Sequence, residues 1–238
     1  MEFDVQSLKD CFFSGIQYLG VTVKISLVSI IFGTILALIV ALVRFYKVPV
    51  LSQLFALFVT VYRGIPIMLI ILIGHLMYVM HFDTVVKALH LSVKIKDVDI
   101  VLLGYIVMTV GVIPSISETF RGALKSIDKT QYEACYSIGL TTTQSLRRVI
   151  LPQMFPVAFP SYINNILGVI KGVPLLSSVG IMEVMQGSLL PCSVSYSYLE
   201  GYAAAALIYF MLITLILNVA KYIEKNLNRY RVIRKNTK

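Results

Sequence analysis

Charge is what this sequence has least of. Only 14% of its 238 residues are Asp, Glu, Lys or Arg, against 58% hydrophobic residues and a mean hydropathy of +0.83. A soluble domain of this length needs a charged shell around its core, and the composition excludes one. Patterns for chemistry are missing too. There is no GxxxxGK, so the chain has no phosphate-cradling loop of its own and any ATP and Mg must be bound by a partner. There is also no HExxH, no GxSxG and no convincing carboxylate pair, which argues against an embedded hydrolase and for a chain that is not itself catalytic. Cys11, Cys135 and Cys192 lie far apart, and His75, His81 and His90 show no liganding pattern, so no metal site or cofactor is expected.

What is present is a set of long apolar runs. Five reach the length of about 20 residues that crosses a bilayer's hydrocarbon core as helix. They are 21–43, 50–80, 100–120, 161–180 and 202–220. The second would be about 46 Å long as one helix, and it holds Arg63, Gly64 and Pro66, so a break is expected near 63–66. Before the first run stand Glu2, Asp4 and Asp10 with only Lys9, the reverse of a signal peptide's basic start, so this run is expected to stay in the mature protein. The fold class is therefore all-α integral membrane, five transmembrane helices in a single domain over 1–238.

Basic residues fall unevenly between the two sides. Of the 21 Lys and Arg, fourteen lie in segments on one side: Arg44 and Lys47; Arg121, Lys125, Lys129, Arg147 and Arg148; and Lys221, Lys225, Arg229, Arg231, Arg234, Lys235 and Lys238. The positive-inside rule puts these in the cytoplasm, with the N-terminus outside and the C-terminus inside the cytoplasmic membrane. The net charge of +9 then reads as a topology signal and a tail facing lipid headgroups, and nucleic acid is not an expected partner. Cys11 and Cys192 share the outer side, which leaves a disulfide open without fixing it.

The longest inner insertion, 121–152, carries its own punctuation. Thr130 and Glu133 have capping-box spacing, as do Thr141 and Gln144, and Gly139 stands where a helix-ending glycine adopts a left-handed conformation. The pattern predicts two short amphipathic helices joined at Gly139, the second ended by Pro152. Ala134, Cys135 and Ile138 share one face of the first. Such an element either docks into a groove on a partner or covers the inner end of the bundle. Glu133 has a structural role available as the third residue of a capping box, its carboxylate placed to accept the Thr130 N–H.

Glu133-Ala134-Cys135, Gly139, Val149 and Leu151-Pro152 resemble, in identity and spacing, the EAA signature of permease subunits in bacterial ABC importers, with Cys135 in place of the second alanine and Val149 in place of isoleucine. Tyr62-Arg63-Gly64-Ile65-Pro66 and Ser117-Glu118-Thr119-Phe120-Arg121-Gly122 resemble segments of the polar amino-acid branch, the histidine/glutamine/cystine permease type. Lys171-Gly172-Val173-Pro174-Leu175 departs from that branch's pattern at Val173 and Pro174. The resemblance implies the type I importer permease fold, with Tyr132, Glu133, Ala134, Gly139, Leu140, Arg147, Arg148 and Pro152 in a coupling loop that docks on ABC ATPase subunits. It also implies an extracellular or periplasmic substrate-binding protein as a partner. Five helices are too few to enclose a path, so a homodimer or a heterodimer with a second permease is expected.

Arg63, Glu118 and Lys171 are charged groups inside or beside apolar runs, where such groups face a water-filled path, pair, or snorkel to headgroups. With Gly64 and Pro66 they are the candidate path residues. Gly168 with Gly172, and Gly201 with Ala205, have the small-xxx-small spacing of close helix contacts. Cystine is the first candidate cargo, because SETFRGALKSIDKTQYEA and LLPCSVSYSYLEGY resemble cystine-type members. The alternative from another class is a gradient-driven secondary transporter or channel, whose usual internal repeat has no counterpart here.

Overall fold

The computed structural model describes residues 3–88, 90 and 92–235, with side chains described up to residue 227. Lys238 and the side chains of Arg229, Arg231, Arg234 and Lys235 lie outside the described part. Every regular element among the described residues is helical: α1 (Val5–Gln17), α2 (Leu19–Phe45), α3 (Leu51–Gly64), α4 (Ile67–Ala88), α5 (Val101–Lys125), α6 (Lys129–Ser137), α7 (Thr142–Ser145), α8 (Leu151–Gly172), α9 (Val184–Leu189), α10 (Cys192–Ser195) and α11 (Tyr198–Lys235). Short 3₁₀ runs cover Ile95–Asp97 and Val173–Val179, and a π-helical turn covers Leu146–Ile150.

Among the described residues, four helices are long and apolar enough to cross a membrane: α2, α4, α5 and the Tyr198–Leu227 part of α11. A fifth span is obtained if the run Thr142–Val179 is taken with Val184–Ser195, to which it is bent by 57°. The physical reason for the bend is local. Gly172 ends α8, the chain tightens into 3₁₀ turns over Val173–Val179, and Gly180 at φ 86° takes the left-handed conformation that turns it away. Between α3 and α4 the break falls at Ile65-Pro66, where the proline cannot donate to the preceding turn. By contrast α5 runs on through Pro114, and the Ser117 hydroxyl donates to the Pro114 carbonyl at 2.9 Å.

The described chain forms two compact units. The first comprises Met1–Phe32, Gly64–Gly111 and Leu167–Ile213. Its core is built on the fully buried Ile25, Ile71, Leu176, Ile181 and Val184, with Ile208. Within it α1 lies against α9 with almost no space between: a Cβ on Gly187 would come within 2.2 Å of the Tyr18 ring, and one on Gly15 within 2.0 Å of Ser188 Oγ. The Ser14 hydroxyl donates to the Gly187 carbonyl at 2.7 Å, and the Asp4 N–H donates to Glu200 Oε1 at 2.9 Å. Asp4 also caps α1, accepting from the N–H groups of Gln6 and Ser7.

The second unit comprises Gly33–Arg63, Val112–Ile166 and Thr214–Lys238. Ile116, Leu124 and Ile150 are its largest fully buried side chains. The Thr34 and Tyr162 hydroxyls meet at 2.8 Å, and the Asn165 amide donates to Thr119 Oγ1 at 2.9 Å, so α2 and α8, and α5 and α8, are joined by hydrogen bonds inside apolar surroundings. α8 carries Pro152, Pro156 and Pro160 at four-residue spacing.

Candidate functional site

The insertion between α5 and α8 is folded against the second unit. Its first helix, α6, starts two residues earlier than a Thr130–Glu133 box requires. Asp128 is the N-cap, and its Oδ1 accepts the Thr130 N–H at 3.0 Å. This corrects the capping role expected of Glu133: the nearer carboxylate takes the amide, and Glu133 is exposed. On the inward side Tyr132 stacks on Phe45 with ring centroids 6.0 Å apart and donates its hydroxyl to the Leu124 carbonyl at 3.2 Å. Burial pushes its phenol up to about 12, which keeps it a donor. Cys135 is buried beside it in sequence order, while Ala134 is exposed, Tyr136 is 47% exposed and Ile138 is 75% exposed. The expected shared face of Ala134, Cys135 and Ile138 is thus split, because α6 ends at Ser137 and the chain leaves helical geometry at Ile138.

Gly139 has φ 78°, and the Leu140 N–H returns to the Cys135 carbonyl at 3.0 Å, the geometry of a Schellman turn. Thr141 and Gln144 then form the reciprocal box expected of them: the Thr141 N–H donates to Gln144 Oε1 at 2.9 Å and the Gln144 N–H to Thr141 Oγ1 at 3.3 Å. Pro152 does not end this helix. One π turn, closed by the Leu151 N–H on the Leu146 carbonyl, leads straight into α8, and Pro152 sits in its first turn. The π turn makes room for a ring that would otherwise collide with the carbonyl four residues back, and the missing N–H costs nothing at a helix start. Arg147, Arg148 and Pro152 are exposed, and Leu140 is half-buried. Gln153 ties the two arms together, donating from Nε2 to Gln131 Oε1 at 3.2 Å.

Glu118, at the end of α5 next to this loop, is engaged on both oxygens. Arg44 of α2 donates to Oε1, and Arg121 donates to Oε2 from Nε at 3.2 Å and from Nη2. The sequence pointed to Glu118 but not to Arg44, since nothing local reveals a partner 74 positions away. Arg63 and Gly64 end α3 and, with Pro66, are exposed. Lys171, in the last turn of α8, is exposed and has no ion-pair or hydrogen-bond partner among the described residues. On α8 it follows Ser161, Asn164 and Gly168, which are exposed at helical spacing on the same face.

Sequence reading missed Glu183. It is fully buried, caps α9 by accepting from the N–H groups of Met185 and Gln186, and accepts the Tyr209 hydroxyl at 2.7 Å. An acidic residue in the weakly apolar stretch after Gly180 gave the only signal. The groups of His, Cys, Asp or Glu among the described residues include none that could hold a metal ion.

Apolar helices long enough to cross a membrane, with one folded polar loop in the second unit, define a helical membrane protein. Residues 29–229 match the family described as the binding-protein-dependent transport system inner membrane component, and the chain belongs to that family, as a multi-pass permease of an ABC importer in the inner membrane. It is 32% identical over 231 residues to the probable amino-acid ABC transporter permease PatM of Vibrio harveyi, covering 96% of this chain and 98% of that one. It is 29% identical over 234 residues to the L-cystine transport system permease TcyL of Bacillus subtilis, covering 97% and 95%. Among solved structures it shares the fold of a crystallised amino-acid ABC transporter with histidines (TM-score 0.77, 22% identity, covering 95% and 100%). It also shares that of the MetNI methionine ABC transporter in an inward-facing form (TM-score 0.70, 18% identity, covering 90% and 96%).

Proposed function

We propose that this chain is the permease for a polar amino acid, cystine being the first candidate. It works as one half of a permease dimer, is driven by separate ATPase subunits that bind ATP and Mg, and is supplied by an extracytoplasmic binding protein. The N-terminus lies outside and the C-terminus in the cytoplasm. The observation that carries the reading is the loop's two-sidedness: Tyr132 and Cys135 are anchored inward, while Glu133, Ala134, Tyr136 and Ile138 are turned out on a stiff base. An isoleucine 75% exposed at the tip of a folded turn has an apolar side chain to place in a groove. Tyr132, Glu133, Ala134, Gly139, Leu140, Arg147, Arg148 and Pro152 make up the coupling element, which passes closure of the ATPases into α5 and α8.

As candidate path residues, Lys171 and Arg63 are each suited to meet a substrate carboxylate, because each is an exposed cation on an apolar helix with no partner among the described residues. Gly64 and Pro66 supply the break beside Arg63. Glu118 is already held by two guanidinium groups, and its role is to fix α2 to α5 beside the path. Cystine is supported by the likeness to TcyL and to TcyB of Bacillus subtilis, an L-cystine transport system permease 32% identical over 217 residues.

Co-purification of the permease with its ATPase, for the native chain and for Glu133→Lys combined with Gly139→Trp, tests the coupling element. Loss of the ATPase from a variant that is still folded in the membrane is the expected result. Undiminished capture, or no capture by the native chain, overturns the docking assignment and favours a gradient-driven transporter.

A further inference from the structure

The first unit contains a feature that transport does not use. Cys11 of α1 and Cys192 of α10, 181 positions apart, place their sulfurs 3.6 Å from each other, and both residues are fully buried. With Ala204 they form an apolar cluster packed by Leu8, Phe12 and Leu189. We propose that Cys11 and Cys192 are joined by a disulfide bond in the mature protein, a covalent staple between the N-terminal helix and the turn that leads into α11.

Three observations support the bond. The sulfurs are in contact, and a bond length of about 2.05 Å requires them to close by only about 1.5 Å. Both ends of α1 are fastened to the elements that flank α10, the Asp4 N–H donating to Glu200 of α11 and the Ser14 hydroxyl to the Gly187 carbonyl of α9. Gly201 lets the Cys192 sulfur pack close to its backbone, since a Cβ there would lie 2.5 Å from Cys192 Sγ. The third cysteine, Cys135, belongs to the other unit and serves as an internal control.

The need for a staple follows from α1 itself. At 13 residues it is near the lower limit for an isolated helix, and it leaves Val5, Phe13 and Ile16 exposed. A cross-link over so long a loop restricts the unfolded chain strongly.

Formation breaks two S–H bonds and makes one S–S bond. Two electrons and two protons pass to the disulfide of an extracytoplasmic thiol oxidase, which leaves as a dithiol. Burial pushes the Cys11 thiol up to about 12, so little thiolate exists once α1 has docked, and the exchange belongs to folding. The proposal rests on the orientation given above, with both cysteines on the oxidising side.

The test uses the full chain in native membranes. Membranes are quenched in acid to stop thiol exchange, the protein is redissolved in denaturant, and the sites open to a mass-tagged maleimide are counted with and without prior reduction. A reporter fused to the N-terminus reads orientation in the same preparation. One tagged thiol before reduction and three after, with a cross-linked peptide joining Cys11 to Cys192, is the expected result, and Cys11→Ser should raise the unreduced count from one to two. Three free thiols before reduction, or a cross-link involving Cys135, overturns the disulfide. If the reporter then lies outside, the disulfide falls alone; if it lies inside, the orientation falls with it.

Discussion

Small residues decide how α1 is held. The contact with α9 depends on Gly187, where any Cβ meets the Tyr18 ring near its root, so the ring cannot swing clear as the end of a flexible side chain would. Gly187→Ala should therefore overpack this contact and cost about 1–3 kcal/mol. The expected readout is a lower thermal midpoint of the solubilised protein and faster proteolysis near residue 18, and an unchanged midpoint would show that α1 yields freely. Gly168 provides the contrast. It shares the small-residue spacing with Gly172, yet nothing lies within 4 Å of a Cβ built on it, whereas Gly172 approaches Met108 at 3.2 Å. Spacing alone marked both glycines, and only the fold separates the one that packs from the one on an open face.

At the scale of elements, the loop between α5 and α8 turns on a single backbone conformation. A Cβ on Gly139 would meet nothing within 4 Å, so substitution there acts through the backbone alone. A left-handed residue with a side chain costs roughly 1–2 kcal/mol, more when it is β-branched. ATPase capture should fall in the order Gly139, Gly139→Ala, Gly139→Val, while the thermal midpoint of the membrane helices stays the same; equal capture by all three would show that the turn is dispensable. The turn at Gly139 and the box at Thr141 and Gln144 were legible because each is written within a few residues. So were the apolar runs, since lipid selects for length and composition rather than for partners. The start of α6 was misread because two carboxylates competed for one amide and spacing favoured the farther one. Residues α1, α9 and α10 cover, and the pairing of Arg44 with Glu118, were not legible, because tertiary contacts between distant segments create them.

At the scale of the whole molecule, cargo is the open assignment. Lys171 and Arg63 are exposed cations with no partner among the described residues, whereas the oxygens of the buried Glu183 are already engaged. That balance suits recognition of carboxylates, which every amino acid carries and cystine carries twice. In cells expressing the complete importer, unlabelled cystine should compete with labelled cystine uptake at least tenfold more effectively than glutamine, arginine or histidine. Equal or stronger competition by any of the three would remove cystine and leave the wider class. Lys171→Ala should lower this uptake without releasing the ATPase, because the loop and Lys171 belong to different units.

The prolines of α8 have an electrical consequence. Pro152, Pro156 and Pro160 bring no N–H, so the carbonyls of Arg148, Pro152 and Pro156 cannot be reached by the amide four residues on. At four-residue spacing these oxygens form a file along one flank of the helix, and the three proline rings are exposed or half-buried. The file is a strip of partial negative charge made entirely of backbone. No proton can neutralise it, and its strength is the same in an acidified medium as at neutrality.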